Sequence, residues 1–424
     1  MTTGIPEFIE LPSTIRPMVI DKPAIGLDLG MEYNWAGQYV RRNGKSYVKL
    51  LRIGGNERFP LWSGLAFEGN IVHVGEAAKL MMTIKKSKKE TLNGAFRTKK
   101  LIGAQYDQTD PKSIVFPIMK DPLGRVSIPI KEGQKTNSIS PEEINCIFIN
   151  AILQDLKRRS GITNSHIIVT QADQSSEIDT VLLYGVLKLQ NTNIDRIIKD
   201  SQAAVLAYGV PVDDHAYIVF NFAETECFCT LVVDGQLFSN VRNQASGIVL
   251  DAIEKLSKKH AAEKLEKIKQ MLISMFGMIF DKYGKRIDGI ILAGNCQDRP
   301  MIREVVKKVS KNTVVLNQIP PALVFVVGAT VFAAKRLEIE MKIARPLNGI
   351  IQEMADLTQA TNLHRDFLNI LPAPPTYDSI ANLDSNELPP PWTSESSDSS
   401  SSAFTRQSLN EVDLMNENIQ VFRF

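Results

Sequence analysis

An apolar run that ends in an acidic residue between glycines constrains this chain more than any other feature. It reads Ala24-Ile25-Gly26-Leu27-Asp28-Leu29-Gly30, and a second strand-like run follows over residues 35–40. Such a pattern makes a β-hairpin. Its tight turn at Gly30 exposes backbone N–H groups to an anion, and Asp28 stands beside it to hold a hydrated cation. The same residues also serve as an ordinary turn, so both readings stay open at this point.

A chain of 424 residues is long enough for two core-bearing lobes and a tail. Its composition, 44% hydrophobic and 23% charged, is that of a globular protein. A formal charge of +2 favours neither nucleic acid nor a membrane as the main partner. The charge is unevenly spread, however. Residues 341–424 carry eleven acidic and five basic side chains, while basic runs lie ahead of them at Lys85-Lys86-Ser87-Lys88-Lys89 and Lys99-Lys100. The first of these runs reads as a solvated face or as a nuclear-localisation patch.

Four cysteines, Cys146, Cys227, Cys229 and Cys296, make no disulfide framework in so long a chain. Cys227-Phe228-Cys229 puts two thiols on one face of a strand. Without a second pair or a nearby His, they read as buried free thiols rather than a metal site. Residues 1–19 are interrupted by Pro6, Pro12 and Pro17 and carry Glu7 and Glu10, unlike a signal peptide. No run approaches the roughly 20 apolar residues of a membrane span. The expected compartment is the cytosol or nucleus.

Taken in order, residues 1–22 read as a loosely held extension. Strands fill residues 25–49, with a turn at Arg42-Asn43-Gly44-Lys45. Ser140-Pro141-Glu142-Glu143 is a helix start, with Ser at the N-cap, Pro at N1 and an acid at N3. Ile144, Ile147, Phe148, Ile152 and Leu156 then repeat at helical spacing as far as Ser160-Gly161. A buried strand is expected at 166–170, helices at 178–189 and from Asp200, and strands at 216–222 and 227–233. A lysine-rich helix spans 248–283. It is followed by a strand at 287–292, a helix at 301–309, a strand at 313–316 and an apolar helix at 321–337.

Beyond these elements, helical residues are expected at 338–344 and 350–358. The Pro- and Ser-rich composition after about residue 370 predicts disorder. Within the tail, Pro374-Pro375-Thr376-Tyr377 fits the Pro-Pro-x-Tyr ligand that WW domains take as a polyproline II segment.

Several segments fall in a familiar order: the Asp28 hairpin, Phe96-Arg97-Thr98-Lys99-Lys100-Leu101-Ile102-Gly103, Ala203-Ala204-Val205-Leu206-Ala207-Tyr208-Gly209, Ile290-Ile291-Leu292-Ala293-Gly294 and Gly328-Ala329-Thr330-Val331-Phe332-Ala333-Ala334. Over residues 23–338 this resembles the nucleotide-binding domain of the heat-shock 70 kDa chaperones, within the actin/hexokinase/chaperone ATPases. The resemblance implies an α/β, two-lobed, actin-like ATPase (ribonuclease H-like) fold with lobes at 23–210 and 211–340. The second lobe is reduced, because only about forty residues stand where the family has its adenine-gripping subdomain. An extension at 341–369 and the tail at 370–424 take the place of a peptide-binding domain.

The resemblance also implies a site. Lys99 aligns with the family's catalytic lysine, and Asp28 and Asp200 would hold Mg²⁺ through water, Asp200 replacing a glutamate. Gly30, Gly294, Glu266 and Lys269 join Asp28 and Asp200 as cofactor-binding positions for ATP or ADP. Against this, the hydroxyl after Gly30 is replaced by Met31. The second phosphate hairpin reads Asn221-Phe222-Ala223-Glu224-Thr225-Glu226-Cys227-Phe228, without the family's two aspartates or its glycines. Carboxylates such as Glu224 about 4 Å from a phosphate repel it by about 1 kcal/mol or more. The adenosine loop reads Gly294-Asn295-Cys296-Gln297-Asp298, with an acid in place of an arginine, and Ala322 replaces a further acid. The expectation is a non-catalytic, protein-binding pseudo-ATPase whose partners include chaperone-system proteins and a WW-domain protein. The alternatives are a slow ATP-binding chaperone-like protein and an actin-related structural subunit. Asp28 and Lys99 also read as a structural ion pair or turn in an emptied cleft.

Overall fold

The computed structural model describes residues 5–53, 60–69, 71–87, 93–111, 114–132, 135–162, 165–189, 194–222, 226–244, 258–284, 286–294, 306–307, 313–344 and 421–423. Strand pairing begins earlier than the sequence suggests. Phe8–Glu10 (β1) lies antiparallel to Lys45–Leu50 (β4), with Phe8 opposite Lys49 and Glu10 opposite Tyr47. The hairpin follows as Ala24–Asp28 (β2) and Tyr33–Arg42 (β3), and β3 turns directly into β4. Asn43 and Gly44 both take positive φ there, 49° and 75°, the geometry that Asn-Gly supplies at least cost.

Leu61–Trp62 (β5) adds to β3. Gly64–Glu68 (β6), Ile71–Val74 (β7) and Gly94–Phe96 (β8) form a small sheet crossed by the helix Glu76–Ser87 (α1). Met119–Lys120 (β9), Val126–Glu132 (β10) and Lys135–Ile139 (β11) form another. Helix Pro141–Ser160 (α2) starts as its sequence predicts. Glu143 N donates to Ser140 Oγ at 3.2 Å, Ser140 N donates to Glu143 Oε2 at 2.8 Å, and Gly161 closes the helix at φ 63°. Then come His166–Gln171 (β12), Glu177–Leu189 (α3), Arg196–Lys199 (β13) and Asp200–Tyr208 (α4).

The second large sheet consists of Ala216–Phe222 (β14), Glu226–Val233 (β15), Gln236–Gln244 (β16), Gly289–Gly294 (β17) and Val314–Leu316 (β18). Helices Lys258–Tyr283 (α5) and Val324–Ala344 (α6) pack on it and between the sheets. The first sheet runs β1-β4-β3-β2-β12-β13 and the second β16-β15-β14-β17-β18. Apart from β1, the two have one topology. Each is an antiparallel meander of three strands joined through its first strand to two parallel ones. This is the two-lobed α/β architecture expected of an actin-like ATPase domain.

Side-chain alternation sorts the core into layers. Ile25, Leu27, Ile167 and Val169 face outward to α2 and α3, while Ala24 and Ile168 face inward. In the second sheet Tyr217, Val219, Val232, Ile291 and Ala293 face inward, and Ile218, Phe220, Cys229 and Ile290 face α5. The inner faces meet over α4 and α6. These helices cross closely because the residues at the crossing are small: an ideal Cβ on Gly328 would lie 1.7 Å from the Ala203 carbonyl oxygen. Gly26 likewise lets α6 approach β2, since a Cβ there would lie 2.3 Å from Thr330 N.

Some expectations change. The N-terminal extension is not loosely held from Ile5 onward. Ile9, Leu11, Ile15 and Met18 are buried, Thr14 Oγ1 donates to Tyr208 O at 2.5 Å, and Arg16 pairs with Glu338 at 2.7 Å. Its proline-broken sequence hides apolar residues spaced for a sheet edge rather than for a helix. The last apolar helix does not stop at residue 337 but runs unbroken to Ala344. The strand expected at 287–292 forms two residues later, at Gly289–Gly294, and Asp288 just ahead of it is bonded to the Ala216 backbone through both its N–H and its carboxylate. In the tail, Val421–Arg423 (β19) pairs antiparallel with β7, so these three residues are not disordered. The expected helices at 350–358 and over most of 301–309, the Pro374-Pro375-Thr376-Tyr377 motif and the rest of the tail lie outside the described residues. No helix among the described residues is long and apolar enough to cross a membrane.

Gly328→Ala is expected to destabilise the fold by about 1–3 kcal/mol through overpacking at the crossing. The measurement is the urea midpoint at unchanged m-value. Gly185 of α3 has nothing within 4 Å of an ideal Cβ, so Gly185→Ala is expected to stabilise by about 0.5–1 kcal/mol in the same assay.

Candidate functional site

Asp28 ends β2 at the same rim where the parallel strands β12 and β13 end, so Asp28, Thr170 and the Asp200 that opens α4 share one edge. In open α/β sheets this carboxyl edge is where ligands are held. Asp28 and Thr170 stand opposite each other in the parallel register, and Thr170 Oγ1 donates to Asp28 Oδ1 at 3.0 Å. The turn beyond Asp28 needs Gly30: a Cβ there would lie 2.0 Å from the Tyr33 carbonyl oxygen. Ser63 Oγ donates to the Gly30 carbonyl at 2.8 Å and fixes the turn from the side. Met31, beside it, is half-buried.

Lys99 reaches this rim from a short 3₁₀ turn, Thr98–Leu101, entered through Arg97 in the left-handed region at φ 58°. A non-glycine residue there stores strain, which the surroundings must hold. They do so through Arg97 N donating to Ser63 O at 3.1 Å and Gly103 N donating to Glu142 Oε1 at 2.7 Å. Lys99 Nζ donates to Asp200 Oδ2 at 3.3 Å and Oδ1 at 3.4 Å, and the side chains are only 5% and 8% exposed. The structural ion pair of the cleft is therefore Lys99–Asp200, not Lys99–Asp28.

A third carboxylate, unmarked by any motif, joins them. Asp173 lies in the turn after β12. Its Oδ1 accepts from Ser201 N and its Oδ2 from Thr230 Oγ1, each at 2.9 Å. Burial pushes Asp28 up to about 7; the charge of Asp200 adds to the rise, while Lys99 and the Thr170 hydroxyl oppose it. Asp173 is pushed up to about 6, again by burial first and then by Asp200, against its two donors. Gln171, between Thr170 and this turn, is buried, and neither atom of its side-chain amide has a hydrogen-bond partner among the described residues. Only position could have pointed to these residues, since Gln171 ends a buried strand and Asp173 lies in the turn after it.

In the second lobe Asn221 is the counterpart of Asp28. It is the penultimate residue of the first strand of its sheet, on the inward face, alternating with Tyr217 and Val219. Gly294, at φ 80°, packs against it: a Cβ there would meet Asn221 Oδ1 at 2.6 Å and Phe222 O at 2.4 Å. Phe228 is buried where the family has an aspartate, and Ala322 is half-buried. Glu266 and Lys269 are paired with each other at 2.9 Å on the surface of α5. That helix turns its apolar face to the side of the sheet opposite α4 and α6. Glu224 and the adenosine-loop residues 295–298 lie outside the described residues, as do Pro374, Pro375 and Tyr377. Cys227 and Cys229 are buried thiols, and among the described residues no group of three or more His, Cys, Asp and Glu can hold a metal ion.

A model of the Hsp70 protein family matches residues 24–225. The heat shock 70 kDa protein of Neurospora crassa is 28% identical over 198 residues, which is 44% of this chain and 28% of that protein. Heat shock 70 kDa protein 2 of Paracoccidioides lutzii is 27% identical over 198 residues, and so is the heat shock 70 kDa protein of Ajellomyces capsulatus, covering 28% and 26% of those proteins. The chain thus matches little more than a quarter of the length of these relatives.

The Asp28 shift carries a pH signature. Its carboxyl titrates near 3.8 in the unfolded chain and about 7 when folded. Between these values the folded chain binds the extra proton, so its contribution to stability is full below about pH 4 and is lost as pH rises through 7. Asp28→Asn mimics the protonated acid and keeps an acceptor for Thr170. Its Tm is expected to exceed that of the wild type by about 2–4 °C at pH 8, with the gap closing toward pH 4. Thermal melts across that range check this.

Proposed function

We propose that residues 24–225, which a model of the Hsp70 family matches, are a divergent nucleotide-binding domain of that family, and that the protein is a pseudo-ATPase that works by binding other proteins. One observation carries the reading: Lys99 and Asp200 neutralise each other in a buried pair. In the family's chemistry the lysine must position water, and the carboxylate must face a hydrated metal. Here each is occupied by the other. The residues present also fit a Mg²⁺–nucleotide complex poorly. Asn221 and Phe228 stand where two aspartates would complete the cation site, and Asp28 tends toward its neutral form near pH 7. No hydrolytic step is derived through such a site.

The partners in this reading are proteins of the chaperone system, together with a WW-domain protein engaging Pro374, Pro375 and Tyr377. The cytosol or nucleus is the proposed location. A second reading, a chaperone-like protein that binds ATP or ADP with little turnover, is favoured by one feature. The Gly30 turn and Gly294 keep backbone conformations that side chains would block, as phosphate and ribose contacts need.

Thermal-shift titration with ATP and ADP, with and without Mg²⁺, separates the two. A ligand at about 100 times its Kd stabilises a fold by about 2.7 kcal/mol, a shift of several degrees. The pseudo-ATPase reading expects no shift at millimolar nucleotide. A Mg²⁺-dependent shift would replace it with the second reading.

A further inference from the structure

We infer that Asp173 is an interlobe latch, a carboxylate of the first lobe that holds β15 of the second lobe and the first turn of α4 in a single arrangement. Its two oxygens divide the task. Oδ1 accepts from Ser201 N and Oδ2 from Thr230 Oγ1, each at 2.9 Å. Thr230 is fully buried and alternates with the outward-facing Cys229 and Leu231, so its hydroxyl is aimed at the first lobe. If the lobes part, that hydroxyl loses its acceptor inside a protein interior, where an unmade hydrogen bond is costly.

The second bond matters for a different reason. Ser201 N is one of the unpaired amides at the start of α4, and the N-cap residue, Lys199, carries no acceptor on its side chain. Asp173 supplies the missing cap from another element. Ser201 follows Asp200, so the same carboxylate that grips Thr230 also fixes the turn that aims Asp200 at Lys99. Separation of the lobes and loosening of the Lys99–Asp200 pair are therefore linked events. A weaker bridge, Gln202 Nε2 donating to Gly235 O at 3.4 Å, runs alongside from the same helical turn. Nucleotide binding has no part in this inference, so it stands or falls separately from the proposed function.

The test compares Asp173→Asn, Thr230→Val and Thr230→Ser in the full chain. Spin labels at Lys157→Cys and Asp281→Cys, both exposed, report the distance between the lobes in a Cys296→Ser background; Cys146, Cys227 and Cys229 are buried. Wild type and Thr230→Ser are expected to give one narrow distance. Thr230→Val and Asp173→Asn should each add a longer population and speed amide exchange at residues 200–203 by about tenfold. Their combination should do no more than Asp173→Asn alone, because the contact is shared. Should Asp173→Asn fail to fold, the Thr230→Val and Thr230→Ser pair decides. Unchanged distances in Thr230→Val, or equal broadening in Val and Ser variants, would overturn the latch.

Discussion

The close crossing of α4 and α6 is the constraint on which the rest of the molecule depends. Gly328 meets the backbone at Ala203 with no room for a side chain, and the two helices fill the space between the sheets with alanine, valine and glycine. Short side chains let both sheets pack on one helical layer, so the two lobes share a core. The crossing also sets the site. With α4 fixed along its length, its first residue, Asp200, has to fall at the rim where β2 and β12 end. The docked N-terminal segment reinforces the same layer from outside, bonding the end of α4 through Thr14 and the later turns of α6 through Arg16.

What the rim receives is an imbalance of charge: three carboxylates, with Lys99 against Asp200 and Lys199 within electrostatic reach of Asp173 and Asp200. Burial makes each ionised carboxylate costly unless it is paired. Lys99 resolves this for Asp200, hydroxyl and amide donors do so for Asp173, and Asp28 is left to take up a proton near neutrality. The three carboxylates are each paired, bonded or neutralised in this way, while the buried Gln171 amide beside them keeps no hydrogen-bond partner among the described residues. In the second lobe Asn221 and Phe228, opposite each other in the β14–β15 ladder, put uncharged side chains at the corresponding place.

Much of this was legible in the sequence because it is local. The Gly30 turn, the Ser140 capping box and the small residues of Ala203-Ala204 and Gly328-Ala329 each announce their structure within a few positions. The docking of residues 5–22 was hidden because it begins with a three-residue edge strand, Phe8–Glu10, that exists only once β4 is folded. The common topology of the two sheets was invisible, since it lives in strand order rather than in repeated residues. Asp173 was missed for the same reason. Its partners, Ser201 and Thr230, are far away in the chain, and an acid in a turn carries no mark of a contact across lobes. Lys99 and Asp200 were each named from the sequence, but which carboxylate the lysine would meet was a matter of tertiary geometry.

The central claim is that the Lys99–Asp200 pair serves the fold, and a double-mutant cycle in stability tests it most directly. Removing one partner of a buried pair strands the other, at about 3–5 kcal/mol, whereas replacing both with apolar residues is often near neutral. Lys99→Met and Asp200→Leu should therefore each lower the urea midpoint sharply, and the double variant should recover most of the loss. If the losses simply add, or if neither single change destabilises the fold, the pair is not the structural element described and the cleft must be read again as a site kept open for a ligand.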